Sequence, residues 1–241
     1  MGSDELGLSR DRDLAPIGAL LGHRARAAML TALADGRALP AGELARHARI
    51  APATATAHLR QLVDSGLVRV RSQGRHRYHE LAAPDVAAAL EAIARIAPPA
   101  AIRSLRQDQA QQRIVEARTC YDHLAGRLGV ELRDRLLADG ALRPSGDRDH
   151  VLTDRGRDRL IALGLDPEAL MHSRRILARA CIDWTHRRPH LAGAVPAAIT
   201  AQLIDLGWLA RTHGRGLRAA PDYHQRLDTW LPPQTATPPC S

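Results

Sequence analysis

The sequence predicts an α+β protein, mainly α with small β-hairpins, built in two parts. Three observations predict it. Apolar residues recur at three- and four-residue spacing through much of the first hundred positions. Two alternating segments around Gly74 interrupt that rhythm, and "PPAA" at 98–101 then breaks the chain before a polar helical stretch.

The 241 residues allow one large domain or two small ones, each with a core. Apolar residues make up 45% and charged residues 25%, ordinary for a globular chain. No stretch approaches the ~20 apolar residues of a membrane span, so no membrane partner is expected. "MGSDELGLSRDRD" is acidic and polar where a signal peptide is basic and then apolar, which predicts a cytoplasmic protein. Cys120, Cys181 and Cys240 are too few and too scattered for a secreted disulfide scaffold.

Residues 1–13 read as a flexible tail. From Leu14 to Leu33, Ile17, Leu20, Leu21, Ala28, Met29 and Leu33 lie at helical spacing, with a break near Gly22. Asp35-Gly36 marks a turn, and a short helix spans about 41–48. A second helix starts at Pro52, suited to a first helical turn, and runs to Asp64 before Gly66. In "LVRVRSQGRHRYHEL", Val68 and Val70 share one strand face and Arg69 and Arg71 the other, with the turn at Gly74. "APDVAAALEAIARIA" is a further helix, capped near Asp85. A linker and long polar helix are expected over 98–126, the helix from about 102 to 124. A mostly helical domain follows over 127–231, with a Thr153 cap in "HVLTDRGRDRLIALG". A disordered tail is expected over 232–241.

A helix, a tight turn and a second helix presenting small polar side chains suit the major groove. Small residues let the backbone approach, and hydroxyls reach phosphates or base edges. Ala55, Leu59 and Leu62 form the buried stripe of the second helix. Thr54, Thr56, His58 and Arg60 are the DNA-reading candidates. The hairpin with Arg71, Gln73, Arg75 and Arg77 lies beside it as a wing, its tip suited to a phosphate or a minor groove. The charge supports this. All 34 basic residues are Arg, and residues 46–80 hold seven of them against Asp64 and Glu80. With six aromatics in the chain and only Tyr78 in the basic stretch, single-stranded nucleic acid fits poorly.

Residues 14–97 resemble the winged-helix repressors of the ArsR/SmtB family. The resemblance lies in "GELARHARIAPATATAHLRQLVDSGLVRVRSQGRHRYHEL": Thr54-Ala55-Thr56-x-His58-Leu59, the "L-x-x-x-GLV" exit and "GR-x-x-Y-x-x-L" in the wing. It implies a winged helix-turn-helix domain that binds a pseudo-palindromic double-stranded DNA operator. It also implies a homodimer paired through the helices near 14–33 and 84–97, and repression relieved by a signal. Two departures matter. "AGELARHA", where the family's thiolate box would sit, has no Cys. "PDVAAALEAIARIA", where its interfacial metal site would sit, has no His. Minimal members also end near residue 100, leaving the C-terminal half to be accounted for.

That half contains an internal echo. "ARTCYDHLAGRLGVELRDRLLADGAL" (117–142) is similar to "ARACIDWTHRRPHLAGAVPAAITAQLIDLGWL" (178–209), which predicts a pseudo-symmetric domain. Longer ArsR-type regulators resemble the chain in these same segments. Cys120, Asp122 and His123 cluster in one turn, with Cys and His at i,i+3 on a helix face. Cys181, Asp183, His186 and His190 cluster likewise. Brought together, they would form a sensor for a soft metal, haem or an oxidant. The plainer reading makes the cysteines small apolar fillers and the aspartates helix caps. A pocket for a small organic ligand, lined by Tyr121, Trp184 and Trp208, is the rival sensor. The metal, if any, is unknown, and no cofactor is required for DNA binding. A protein-interaction module and a thiol enzyme using Cys120 and His123 are the competing functions. The enzyme lacks an oxyanion element or a Gly-rich phosphate loop.

Overall fold

A computed structural model describes residues 12–98, 105–212 and 214–233. Most of both expected tails, Cys240, and residues 99–104 of the expected linker lie outside the described residues. The chain forms two compact units: residues up to 33 with 37–86, and residues 34–36 with 87 onward.

The first unit runs α1 (Ala15–Leu21), α2 (Arg24–Leu33), β1 (Leu39–Pro40), α3 (Ala41–Ala48), α4 (Pro52–Asp64), β2 (Val68–Gln73) and β3 (His76–Leu81). The three strands pair antiparallel in the order β1-β3-β2. Pro52 opens α4, where its missing N–H costs nothing. Gly66 ends it at φ +74, with Leu67 N donating to Leu62 O at 3.1 Å. Between α3 and α4, Arg49 takes a left-handed conformation that turns the chain in three residues. Met29, Leu30, Leu33, Leu44, Leu59 and Leu62 are buried as the core. Burying such side chains contributes roughly 1.5–3 kcal/mol each.

The second unit takes α5 (Pro84–Ile96) from Ala87 onward, then α6 (Leu105–Glu116). The helix expected to reach residue 124 stops at Glu116, and strands replace its last turns. Beyond it the chain makes one motif twice. The first copy is β4 (Arg118–Cys120), β5 (His123–Ala125), α7 (Arg127–Ala138), β6 (Leu142–Ser145), β7 (Asp149–Leu152) and α8 (Asp154–Ala162). After a short α9 (Pro167–Met171), the second is β8 (Ala178–Ile182), β9 (Pro189–Ala192), α10 (Ala194–Asp205), β10 (Leu209–Arg211), β11 (Leu217–Ala219) and α11 (Tyr223–Trp230). Helices outweigh strands here, as expected, and each copy also holds two hairpins.

The copies interlock reciprocally. The first hairpin of the second copy joins the second hairpin of the first in the sheet β6-β7-β8-β9. There Asp149 pairs with Arg179, and Ala180 N donates to Arg148 O at 2.7 Å. The mirrored contact bridges Arg118 to Gly216, and Thr119 N donates to Arg215 O at 2.8 Å. Leu124, Leu128 and Leu136 of one copy share a core with Leu191, Ile199 and Leu203 of the other. Neither copy could bury its apolar face alone.

Candidate functional site

On α4, Ala55, Leu59 and Leu62 are buried, while Thr54, Thr56 and Arg60 are exposed. Thr56 Oγ1 donates to Pro52 O at 3.0 Å, which leaves its lone pairs outward. His58 is committed to its own unit. Its ring lies 4.4 Å from that of His23, and Nδ1 is 3.5 Å from Arg26 Nη1. Burial, then the charges of His23 and Arg26, lower its pKa. In the wing, Arg71, Gln73, Arg75 and Arg77 are exposed around Gly74, which turns at φ +58. Arg69 differs, because it is paired with Glu80 at 2.9 Å.

In the second unit the echoing residues meet. Cys120 and His123 are partners across the β4–β5 hairpin, whose two-residue turn places Tyr121 at φ +60. Cys181 and His190 are partners across β8–β9. One ligand atom from each of the four lies within 4.8 Å of all the others. The expected helix face is thus a strand pair, because a two-residue turn also brings i and i+3 together. Cys120, His123 and His190 are buried, and Cys181 is partly so. Neither nitrogen of His190 has a hydrogen-bond partner, nor has Nε2 of His123.

Each histidine has a carboxylate beside it. Asp122 Oδ1 is 3.3 Å from His123 Nδ1, and Asp183 Oδ2 is 3.8 Å from His190 Nδ1. A hydrogen bond from Cys120 holds the Cys181 thiol well below the usual range against its burial. That same bond, with burial, pushes Cys120 up. Burial lowers the pKa of His190; it pulls His123 down too, but the neighbouring Asp122 and Cys181 side chains together outweigh it and raise that pKa. His186 stands apart from the four, with Nε2 3.1 Å from Val115 O.

Asp183 anchors a network that sequence reasoning missed. It accepts from Gly126 N at 2.7 Å, Thr185 N at 2.8 Å and His186 N at 3.0 Å. Arg118 Nη2 donates to it at 2.9 Å, and both side chains are fully buried. Burial alone would raise the Asp183 pKa, but Arg118 and these donors hold it far below the usual carboxylate range. Arg118 also lies 4.8 Å from the centre of the Trp184 ring and 3.9 Å from Glu91 of α5, which Arg215 pairs from the other side. The repeated Ala-Arg before each cysteine was the one available signal for Arg118.

Trp208 meets Trp230 edge-on, centroids 6.3 Å apart, beside a cleft of about 360 Å³ that also touches Arg159, Leu163 and Arg226. Neither Tyr121 nor Trp184 lines that cleft.

Comparison with known proteins agrees with the first unit's geometry. A family described as a helix-turn-helix domain matches residues 21–71. The chain is 39% identical over 199 residues to the uncharacterized HTH-type transcriptional regulator YdfF of Bacillus subtilis (strain 168), spanning 83% of this chain and 88% of YdfF. Among solved structures it is similar to the cadmium metal-sensor CMTR from Mycobacterium tuberculosis, at 32% identity and TM-score 0.31, over 37% of this chain and all of that one. It is also similar to the homodimeric winged helix-turn-helix domain of Mb0332 from Mycobacterium bovis, at 30% identity and TM-score 0.31, over 33% of this chain and 73% of that one. Among the described residues no helix is long and apolar enough to cross a membrane. With the helix-turn-helix and its wing in place and a relative matched along most of both chains, the protein belongs with YdfF to the HTH-type transcriptional regulators.

Proposed function

We propose that the protein is a cytoplasmic, homodimeric repressor that reads an operator with α4 and the wing and is released by a signal received in its second unit. The observation that carries the DNA-reading half is the division of α4. Its apolar stripe is buried, while Thr54, Thr56 and Arg60 stand exposed beside a wing with exposed Arg71, Gln73, Arg75 and Arg77. His58 is left as a residue that fixes α4 against Arg26.

Dimerisation is supported by apolar side chains exposed on the helices assigned to pairing. Leu14 caps α1 at 74% exposure, and Ile93 and Ile96 on α5 are 42% and 85% exposed. Signal reception in the second unit is supported by chain connectivity. Directly after α2 the chain enters the second unit for Ala34–Gly36, where Tyr121 N of the Cys120 hairpin donates to Ala34 O at 2.8 Å. Glu91 on α5 is bound into the Arg118 network. A signal favouring one arrangement of these contacts by ~1–3 kcal/mol would suffice for typical allosteric coupling.

Sedimentation of the full chain, alone and with genomic fragments selected for binding, tests the proposal. A dimer that protects a pseudo-palindromic site is expected. A monomer, or a dimer equally content with any duplex, would overturn it.

A further inference from the structure

We infer that Cys120, His123, Cys181 and His190 form a four-ligand site for one borderline-soft divalent cation of the zinc class, with each copy of the repeated motif supplying one thiolate and one imidazole. The inference rests on this cluster and stands whether or not the cation is the releasing signal.

The distances fit one ion. In a tetrahedral zinc site with bonds of about 2.3 Å to sulfur and 2.0–2.1 Å to nitrogen, neighbouring ligands stand roughly 3.3–3.8 Å apart. Here the four ligand atoms already lie within 4.8 Å of one another, so small side-chain rotations close the shell. Four protein ligands leave no open position, which is the pattern of a retained ion and not of a catalytic one.

Polar bookkeeping points the same way. His190 is fully buried with both ring nitrogens unpartnered, and buried His123 Nε2 is also without a partner. Leaving such groups unsatisfied in the interior is costly. A cation at the centre of the cluster satisfies a nitrogen on each ring. Asp122 beside His123 and Asp183 near His190 are placed to orient the two imidazoles, as carboxylates do around zinc-bound histidines.

Charge selects the class. Two thiolates and a divalent ion sum to zero, so the buried centre carries no net charge and avoids most of the desolvation cost of a buried ion. Two sulfur and two nitrogen donors in tetrahedral array suit zinc and its mimics over calcium or magnesium, which take oxygen ligands. The ligands come from reciprocal hairpins, β4–β5 and β8–β9, so the ion also ties the two copies together.

The test uses the full chain, purified under reducing conditions, stripped with a chelator and titrated with Co²⁺ and then Zn²⁺ in the absence of DNA. One Co²⁺ per chain is expected, with intense visible bands of tetrahedral cobalt and thiolate-to-cobalt charge transfer, all displaced by one equivalent of Zn²⁺. Cys181→Ser keeps three ligands at a partly exposed position. It should lose much of the charge-transfer intensity and weaken Zn²⁺ binding at least tenfold. Cys120→Ser with Cys181→Ser should abolish the charge-transfer bands. Binding below one ion per chain, a weak octahedral cobalt spectrum, or wild-type bands in Cys181→Ser would overturn the assignment. Because no DNA is present, a failure here is separate from any failure of operator binding.

Discussion

Arg118 donates to Asp183 at 2.9 Å across the interface of the repeated motifs, with both side chains fully removed from solvent. Such a pair adds little net stability, but removing one member strands the other. Arg118→Met is expected to cost about 3–5 kcal/mol, since Asp183 and Glu91 then lose a buried counter-charge. Urea unfolding of this variant, of Asp183→Asn and of the double variant checks it. The double should be clearly less destabilised than the sum of the singles.

Asp139 makes acid stability testable. It is the C-cap residue of α7, and its buried carboxylate receives Arg155 and Arg159, each through Nε and Nη2. Burial would raise its pKa, but the two guanidinium groups lower it. The folded pKa is therefore below the unfolded one of about 3.9. The stabilisation is full above that unfolded value and is lost as pH falls through the folded one. Asp139→Asn should cost about 2 kcal/mol near neutral pH, as expected for charged hydrogen bonds. It should cost progressively less in acid, so a constant difference in unfolding free energy from pH 7 to pH 2 would refute the account.

Legibility in the sequence followed length and period. The elements α3, α4, β2 and β3 were readable because each carries several turns or alternations, and Pro52, Gly66 and Gly74 punctuate them. The strands β4 and β5 were not, because three residues buried on both faces show no alternation. The Cys120–His123 spacing was ambiguous for a physical reason, since i,i+3 fits one helix face and a two-residue hairpin equally. The echo resolved more than the local pattern did, because a repeated "HLAG" implies a repeated backbone whatever its type. Arg118, Glu91 and Arg215 stayed hidden, because among 34 arginines burial leaves no compositional trace.

The two copies of "HLAG" predict equivalent glycines. Gly126 and Gly193 precede α7 and α10 at φ +79 and +122. A Cβ at Gly126 would stand 2.7 Å from Val115 O, and one at Gly193 2.6 Å from Ile176 O. Backbone atoms cannot give way as a flexible side chain does. Alanine at either position should cost at least about 1–3 kcal/mol through strain, and to a similar degree in both. Thermal unfolding of the two variants checks it. A tolerated Gly126→Ala beside a disruptive Gly193→Ala would mean that the copies are not structural equivalents.

Arg75 sits at the tip of the wing with its side chain exposed, and no base-reading geometry is required of it. As a phosphate contact it should weaken binding to every duplex alike when replaced by Ala. The slope of log K against log salt should also fall by roughly one. Titrations at several salt concentrations with operator and random duplexes measure both. An unchanged slope would take the wing tip out of the interface.

Thr54 and Thr56 should act differently, because they lie on the exposed face of α4 within its first turn and a half. The Thr56 hydroxyl proton is already given to Pro52 O, so toward DNA it can only accept, from a cytosine or adenine amino group. The Thr54 hydroxyl can donate as well. Replacing either with Ala should reduce the ratio of operator to random affinity, by about 1–3 kcal/mol where a base contact is lost. The salt slope should stay unchanged, since no charge is removed. Competition binding with operators substituted one base pair at a time locates the effect. Each Ala variant should become indifferent at one or two adjacent positions and keep its preference elsewhere. A uniform loss at all positions would make these threonines positioning residues, and base readout would then pass to Arg60.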